Sequence, residues 1–130
     1  MLITVLKSKI HRAYITHADL DYIGSVTIDA ELLQAAGICE YEKVQIVNLS
    51  NGVRLETYAI EGDRGTGVVC LNGAAARCAQ INDMVIIMAY ASMKPEELPE
   101  NPPRVVFVDS GNRIIKTVRY EKHGRFEEMD

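Results

Sequence analysis

Hydrophobic and polar residues alternate with a period of two along much of this chain, in runs that suit short strands. Lys43-Val44-Gln45-Ile46-Val47-Asn48-Leu49 alternates well and predicts a strand. Ser50-Asn51-Gly52 follows as a strong hairpin turn, and residues 53–60 return as the partner strand. On that return strand Arg54, Glu56 and Tyr58 share one face, while Leu55, Thr57 and Ala59 share the other. Residues 67–71 read as a buried strand, and residues 85–91 form a nearly unbroken apolar one. Val26-Thr27-Ile28 is short and β-prone, and residues 104–108 and 113–118 give two late strands around Ser110-Gly111-Asn112.

Helical signals are fewer. Asp29 is placed to cap a helix over residues 30–36, with Gly37 stopping it. Residues 94–98 suit one helical turn, with Pro95 tolerated at its start. Asn72-Gly73-Ala74-Ala75-Ala76-Arg77 joins a turn signal to small residues, permitting either a short helix or close backbone approach to a ligand. The first segment, residues 2–18, mixes apolar, basic and β-branched residues; Ile10, Ala13, Ile15 and Thr16 suit a strand of imperfect alternation. Asp19-Leu20-Asp21 reads as a turn, and the charged residues 120–130 are expected to fray. Roughly seven short strands, few helices and no internal repeat predict a mainly β chain. We expect one domain over residues 1–130, closing its edges as a small six- to seven-stranded barrel.

Composition narrows the function classes. Hydrophobic residues make up 48% and charged residues 25%, an ordinary globular balance. A net charge of -4 and a pI near 5.4 argue against a general nucleic-acid or anionic-membrane binder. The apolar start, interrupted by Thr4 and stopped by Lys7, is too short for a signal peptide, and no run approaches the ~20 residues of a spanning helix. A soluble cytoplasmic protein is expected. Cys39, Cys70 and Cys78 show no CxxC spacing and read as small apolar residues; with His11, His17 and His123 they make no recognisable metal set. The P-loop, the dinucleotide glycine fingerprint, the GxSxG elbow and HExxH are all absent.

Two stretches carry candidate chemistry. Lys7, Lys9 and His11 fall on one face if the first segment is extended; the bland alternative is a solvated strand face. In Tyr22-Ile23-Gly24-Ser25-Val26, a serine hydroxyl follows a glycine carbonyl. Gly and Ser are ordinary turn residues, so alone the pair reads as a turn. A serine hydroxyl also has the chemistry to attack the preceding carbonyl, exchanging an amide for an ester. Gly24 suits that attack, being unhindered and able to take a positive φ.

Lys9-Ile10-His11-Arg12-Ala13, Thr16-His17-Ala18-Asp19-Leu20, Tyr22-Ile23-Gly24-Ser25, Asn51-Gly52-Val53-Arg54, Thr57-Tyr58-Ala59-Ile60 and Asn72-Gly73-Ala74-Ala75-Ala76 stand in one order. In order and spacing these blocks resemble the aspartate 1-decarboxylase family over about residues 1–91; the remainder is less diagnostic. The resemblance implies a double-psi β-barrel, assembled as a homotetramer with active sites at subunit interfaces. It implies an inactive proenzyme that cleaves itself between Gly24 and Ser25, parting the first 24 residues from the remaining 106. The new terminus would carry a pyruvoyl group made from Ser25, a covalent cofactor needing neither metal nor pyridoxal phosphate. L-aspartate would join that ketone as a Schiff base, lose CO2 and leave as β-alanine, for pantothenate and coenzyme A synthesis.

The same resemblance gives residue roles. Thr57 would stabilise the oxyanion of the cleavage and contact substrate, and Tyr58 would donate the proton that completes the reaction. Arg54 would grip a carboxylate bidentately, with Lys9 and His11 as further substrate-binding groups. Gly73, Ala74 and Ala75 would present backbone groups to the substrate, and Asn72 would shape the pocket. The other reading is a non-catalytic small barrel that binds a ligand or partner protein and keeps its Gly24–Ser25 bond, because a fold does not fix a function.

Overall fold

The computed structural model describes residues 1–119; the 120–130 segment, expected to fray, lies outside them. In chain order the strands are β1 (Ile3–Tyr14), β2 (His17–Asp19), β3 (Ser25–Asp29), β4 (Lys43–Asn48), β5 (Arg54–Gly62), β6 (Val69–Asn72), β7 (Met84–Met93), β8 (Arg104–Val108) and β9 (Ile114–Val118). One α-helix, α1 (Ala30–Ala36), follows β3, and 3-10 turns cover Gly73–Cys78 and Pro95–Glu100. The chain is mainly β with short helices, as its alternation predicts.

Local chemistry explains the element ends. Asp29 caps α1 by accepting from the Glu31 N–H at 2.8 Å, and Gly37 ends it in the left-handed region at φ 70°. At the β4–β5 hairpin the Asn48 and Asn51 carboxamides accept from the Ser50 and Val53 N–H groups, while Gly52 takes φ 77°. The first segment departs from its simple reading. It breaks at Ile15–Thr16, and Asp19, expected in a turn, ends β2 paired with Asn72. Arg12 sits at φ 62° where β1 carries one more residue than β7 between Ile10 and Ala13, a bulge that bends the long strand.

That bend closes the sheet. The strand order is β2-β6-β3-β5-β4-β7-β1-β8-β9, and β2 follows β1 after two residues. Thr16 stitches the junction: its N–H donates to the Val69 carbonyl at 2.8 Å, and its Oγ1 accepts from the Val69 N–H at 3.0 Å. The continuous β1–β2 segment therefore occupies one place in a ring of six with β6, β3, β5, β4 and β7. The β8–β9 hairpin extends the ring through a parallel pairing of β8 with β1. Closure pairs each of the six ring members on both sides and, among the described residues, leaves β9 as the edge.

The lumen is filled by Ile10, Val26, Ile28, Ile46, Leu71, Val85 and Ile87, all fully buried, and α1 adds Leu32, Leu33 and Ala36. Buried polar groups tie the loops to this core. Asp29 also accepts from the Gly65 and Gly67 N–H groups, and Asn112 bridges the Tyr14 backbone to the Gly67 carbonyl. Burial alone would raise the Asp29 pKa, but these N–H donors and nearby Arg113 lower it below the ordinary carboxylate value.

Candidate active site

Ser25 opens β3, between two strands that supply its neighbours. On one side β6 runs antiparallel and sets Asn72 opposite Ser25; on the other β5 runs parallel, with Ala59 opposite Val26. Carried back one and two residues, the parallel register sets Tyr58 level with Ser25 and Thr57 level with Gly24. Residues more than thirty apart in sequence thus meet at one peptide bond.

Ser25 is only 4% exposed. Its Oγ donates to the Ile23 carbonyl at 3.3 Å and accepts from Asn72 Nδ2 at 3.0 Å. The same Nδ2 donates to Thr27 Oγ1 at 3.0 Å, and Asn72 Oδ1 accepts from the Cys70 thiol at 3.1 Å. Alternation builds this group: Thr27 lies two residues beyond Ser25 and Cys70 two before Asn72, so each shares a strand face with its partner. Burial, then the Asp19 carboxylate, pushes the Cys70 thiol pKa up and keeps it a donor.

A cavity of about 670 Å³ opens beside Ser25. Asn72, Thr27 and Tyr58 line it with Ser25, as do Asp21, Tyr22, Ile23, Tyr41 and Ile60. Tyr58 is half-buried there. Tyr41, at φ 72°, is held by its N–H to the Ala59 carbonyl at 2.7 Å. Upstream, the Asp21 N–H bonds Asp19 Oδ1 at 3.0 Å, closing the turn that delivers the Gly24–Ser25 bond.

Gly24, although able to take a positive φ, does not do so here, whereas Gly73 beside it does, at +63°. A Cβ on Gly73 would stand 2.7 Å from Gly24 Cα and 3.0 Å from the Tyr22 carbonyl oxygen. A Cβ on Gly24 would meet nothing within 4 Å. The small residue that the packing demands is therefore Gly73, whose backbone lies against the Gly24–Ser25 segment. This is the close approach that the small-residue run permits, and the run itself is the 3-10 turn.

The remaining sequence-predicted residues do not share the Ser25 cavity. Thr57 is level with Gly24 but alternates to the opposite face from Tyr58. Arg54 is exposed at the start of β5, four residues from Tyr58, about 13 Å along an extended strand. Lys9 and His11 lie on β1 where it pairs with β7 and β8, and neither lines the cavity beside Ser25. The His11 ring packs edge-on to Phe107, with centroids 5.5 Å apart. Lys7, on the same basic stretch, pairs with Glu42 at 2.7 Å. Ala74 is exposed and Ala75 packs against the core. One chain thus joins Ser25 to Asn72 and Tyr58 but leaves the expected cations elsewhere. Thr27, Cys70, Tyr22, Ile23, Tyr41 and Ile60 were not expected at the site; period-two spacing from Ser25, Asn72 and Tyr58 marks Thr27, Cys70 and Ile60.

Comparison with known proteins agrees over nearly the whole chain. The protein is 61% identical over 128 residues to an aspartate 1-decarboxylase of Ruminiclostridium cellulolyticum, covering 98% of this chain and 100% of the relative. It is 60% identical over 128 residues to one of Lactiplantibacillus plantarum, covering 98% of each. It is 61% identical over 124 residues to one of Campylobacter jejuni, covering 95% of this chain and 98% of that one. A solved structure of a computationally designed protein, msDPBB_sym2, is similar at a TM-score of 0.42 and 18% identity over 67% of this chain and 99% of its own. The family profile "Aspartate decarboxylase" matches residues 1–115. By that match and those identities, the chain belongs to the aspartate decarboxylase family.

Proposed function

We propose that this protein converts L-aspartate to β-alanine and CO2 with a pyruvoyl group made from its own Ser25. The observation that carries the reading is Ser25 itself: a buried hydroxyl at a cavity wall, held by Asn72, one residue past the carbonyl it must attack. Family membership supports the substrate. We read residues 1–130 as one double-psi β-barrel domain of a cytoplasmic enzyme that supplies β-alanine for pantothenate and coenzyme A.

The atoms of the proposed maturation balance with this chain and water. Ser25 Oγ bonds to the Gly24 carbonyl carbon, and the amide C–N bond breaks as the nitrogen takes a proton, leaving an ester. Thr57, level with Gly24, is the proposed donor to the transient oxyanion; loss of such a donor costs ~100-fold or more. Removal of the residue-25 α-proton then breaks Cβ–Oγ. Gly24 leaves as a carboxylate that keeps Oγ, and residue 25 becomes dehydroalanine. Water replaces its nitrogen, which departs as ammonia, and the ketone remains.

Position 25 suits that group, because it is buried, opens onto the cavity and stands within reach of the Asn72 N–H. When present, the pyruvoyl group supplies the electron sink for loss of the α-carboxylate. Tyr58 lines the same cavity and holds its phenolic proton for the substrate Cα. Tyr22, Ile23, Tyr41 and Ile60 give that cavity an apolar lining, of which Tyr22, Ile23 and Tyr41 are largely exposed in the single chain. Arg54, Lys9 and His11 are the proposed carboxylate holders. Because they lie away from Ser25 within one chain, we propose that a second copy in a homotetramer brings its Lys9 and His11 to the site.

The test is chemical. Purified full chain incubated with L-aspartate is expected to release β-alanine and CO2 in equal amounts. Tyr58→Phe is expected to mature normally yet lose most of the turnover, since only the phenolic proton is removed. No CO2 from the fully matured wild type contradicts the function, and wild-type turnover in Tyr58→Phe removes Tyr58 from its role.

A further inference from the structure

Asn72 has one carboxamide and three side chains that fix how it lies. Its Oδ1 accepts from Cys70 Sγ at 3.1 Å, and its Nδ2 is shared between Ser25 Oγ and Thr27 Oγ1, each at 3.0 Å. All three residues beside Asn72 are buried or half-buried, and Asn72 itself is 3% exposed. Reversing the carboxamide would aim Oδ1 at two hydroxyls and withdraw the N–H from Ser25 Oγ. In a buried group with few alternatives, each partner's donor or acceptor character selects the orientation of the others.

We propose that Cys70 and Thr27 are positioning residues for the conversion of Ser25: together they hold the Asn72 carboxamide in the orientation that donates an N–H to Ser25 Oγ. This rests on the self-cleavage reading above. The consequence falls on the second bond broken in maturation. When Cβ–Oγ breaks, the electron pair goes to Oγ, which becomes a carboxylate oxygen of Gly24. An N–H already on Oγ stabilises that charge as it develops, at no cost of reorganisation. Cys70 touches no reacting atom; it acts through Asn72. Burial and the Asp19 carboxylate, which push the thiol pKa up, are consistent with its serving as donor and not as thiolate.

The full chain, made by cell-free synthesis in the cold and then warmed, allows cleavage between residues 24 and 25 to be timed by intact mass. Cys70→Ala is expected to slow cleavage about tenfold with a melting temperature near that of wild type, and Cys70→Ser, which restores a donor, to recover most of that loss. Where Cys70→Ala melts lower, Cys70→Val, which restores bulk without a donor, makes the same comparison. Thr27→Val is expected to slow cleavage about fivefold. In an Asn72→Ala background, Cys70→Ala is expected to add nothing, because the residue it positions is gone. Cleavage of Cys70→Ala at the wild-type rate, Cys70→Ser as slow as Cys70→Ala, or a further slowing of Asn72→Ala overturns the proposal. A wild-type chain that stays whole overturns the self-cleavage reading itself, and the two failures are read from different samples.

Discussion

The residue that gives most away about this site is one whose side chain is missing. Gly73 combines φ +63° with a backbone so close to Gly24 that a Cβ would stand 2.7 Å from Gly24 Cα. Gly73→Ala is expected to lose about 1–3 kcal/mol of stability, read from the denaturant midpoint, and to slow cleavage sharply. Gly24→Ala, with nothing within 4 Å of its new Cβ, is expected to keep a midpoint near wild type. Equal losses in the two variants would contradict this division. From the sequence, Gly24 was the glycine expected to need unusual backbone freedom, because it stands beside the reactive serine. Which glycine takes the positive φ depends on how β3 and β6 meet, and no local pattern carries that. Tyr58, Thr57 and Arg54 were legible only as strand residues on known faces; their roles came from a resemblance of ordered blocks.

At the scale of elements, alternation and turn chemistry specified most of what is seen. The Asp29 cap, the Gly37 stop and the Asn51-Gly52 hairpin all lie where residue types alone put them. The split between β1 and β2 was not legible, since it comes from a bulge at Arg12 and from Thr16 bonding Val69, contacts made only on closure. Asp29 also binds elements together, joining the β3–α1 junction to the Gly65 and Gly67 N–H groups. Its folded pKa is lowered, burial being outweighed by those donors and Arg113, so folding favours the ionised form. Its contribution is therefore complete above the ordinary value of 3.8 and is lost as pH falls through the lower folded value. Asp29→Asn is expected to cost about 1–3 kcal/mol near neutral pH and to flatten the acid limb of the stability curve, measured by denaturation across pH. An acid limb unchanged in Asp29→Asn would assign that limb to other carboxylates.

For the whole molecule, closure of the β1–β2 segment on β6 turns an open mixed sheet into a ring, within which the pairing of β3 with β6 and β5 sets Ser25, Asn72 and Tyr58 around one cavity. Lys9 and His11, on β1 between β7 and β8, stay outside that cavity, and this distribution underlies the proposed assembly. No pattern within a single chain announces a partner, so the homotetramer came from family resemblance alone. Complementation tests it: Ser25→Ala and Lys9→Ala chains are each expected to be inactive alone. Co-assembled, a matured Ser25 from one and an intact Lys9 from the other are expected to restore part of the turnover. No recovery in a verified mixed oligomer would mean that Lys9 serves its own chain. The account as a whole turns on one bond. Intact mass of the purified, warmed full chain is expected to show a fragment ending at Gly24 and a second beginning with a pyruvoyl group at position 25, while Ser25→Ala stays whole. A wild-type chain that remains uncleaved, or a Ser25→Ala chain cut at the same bond, would contradict it.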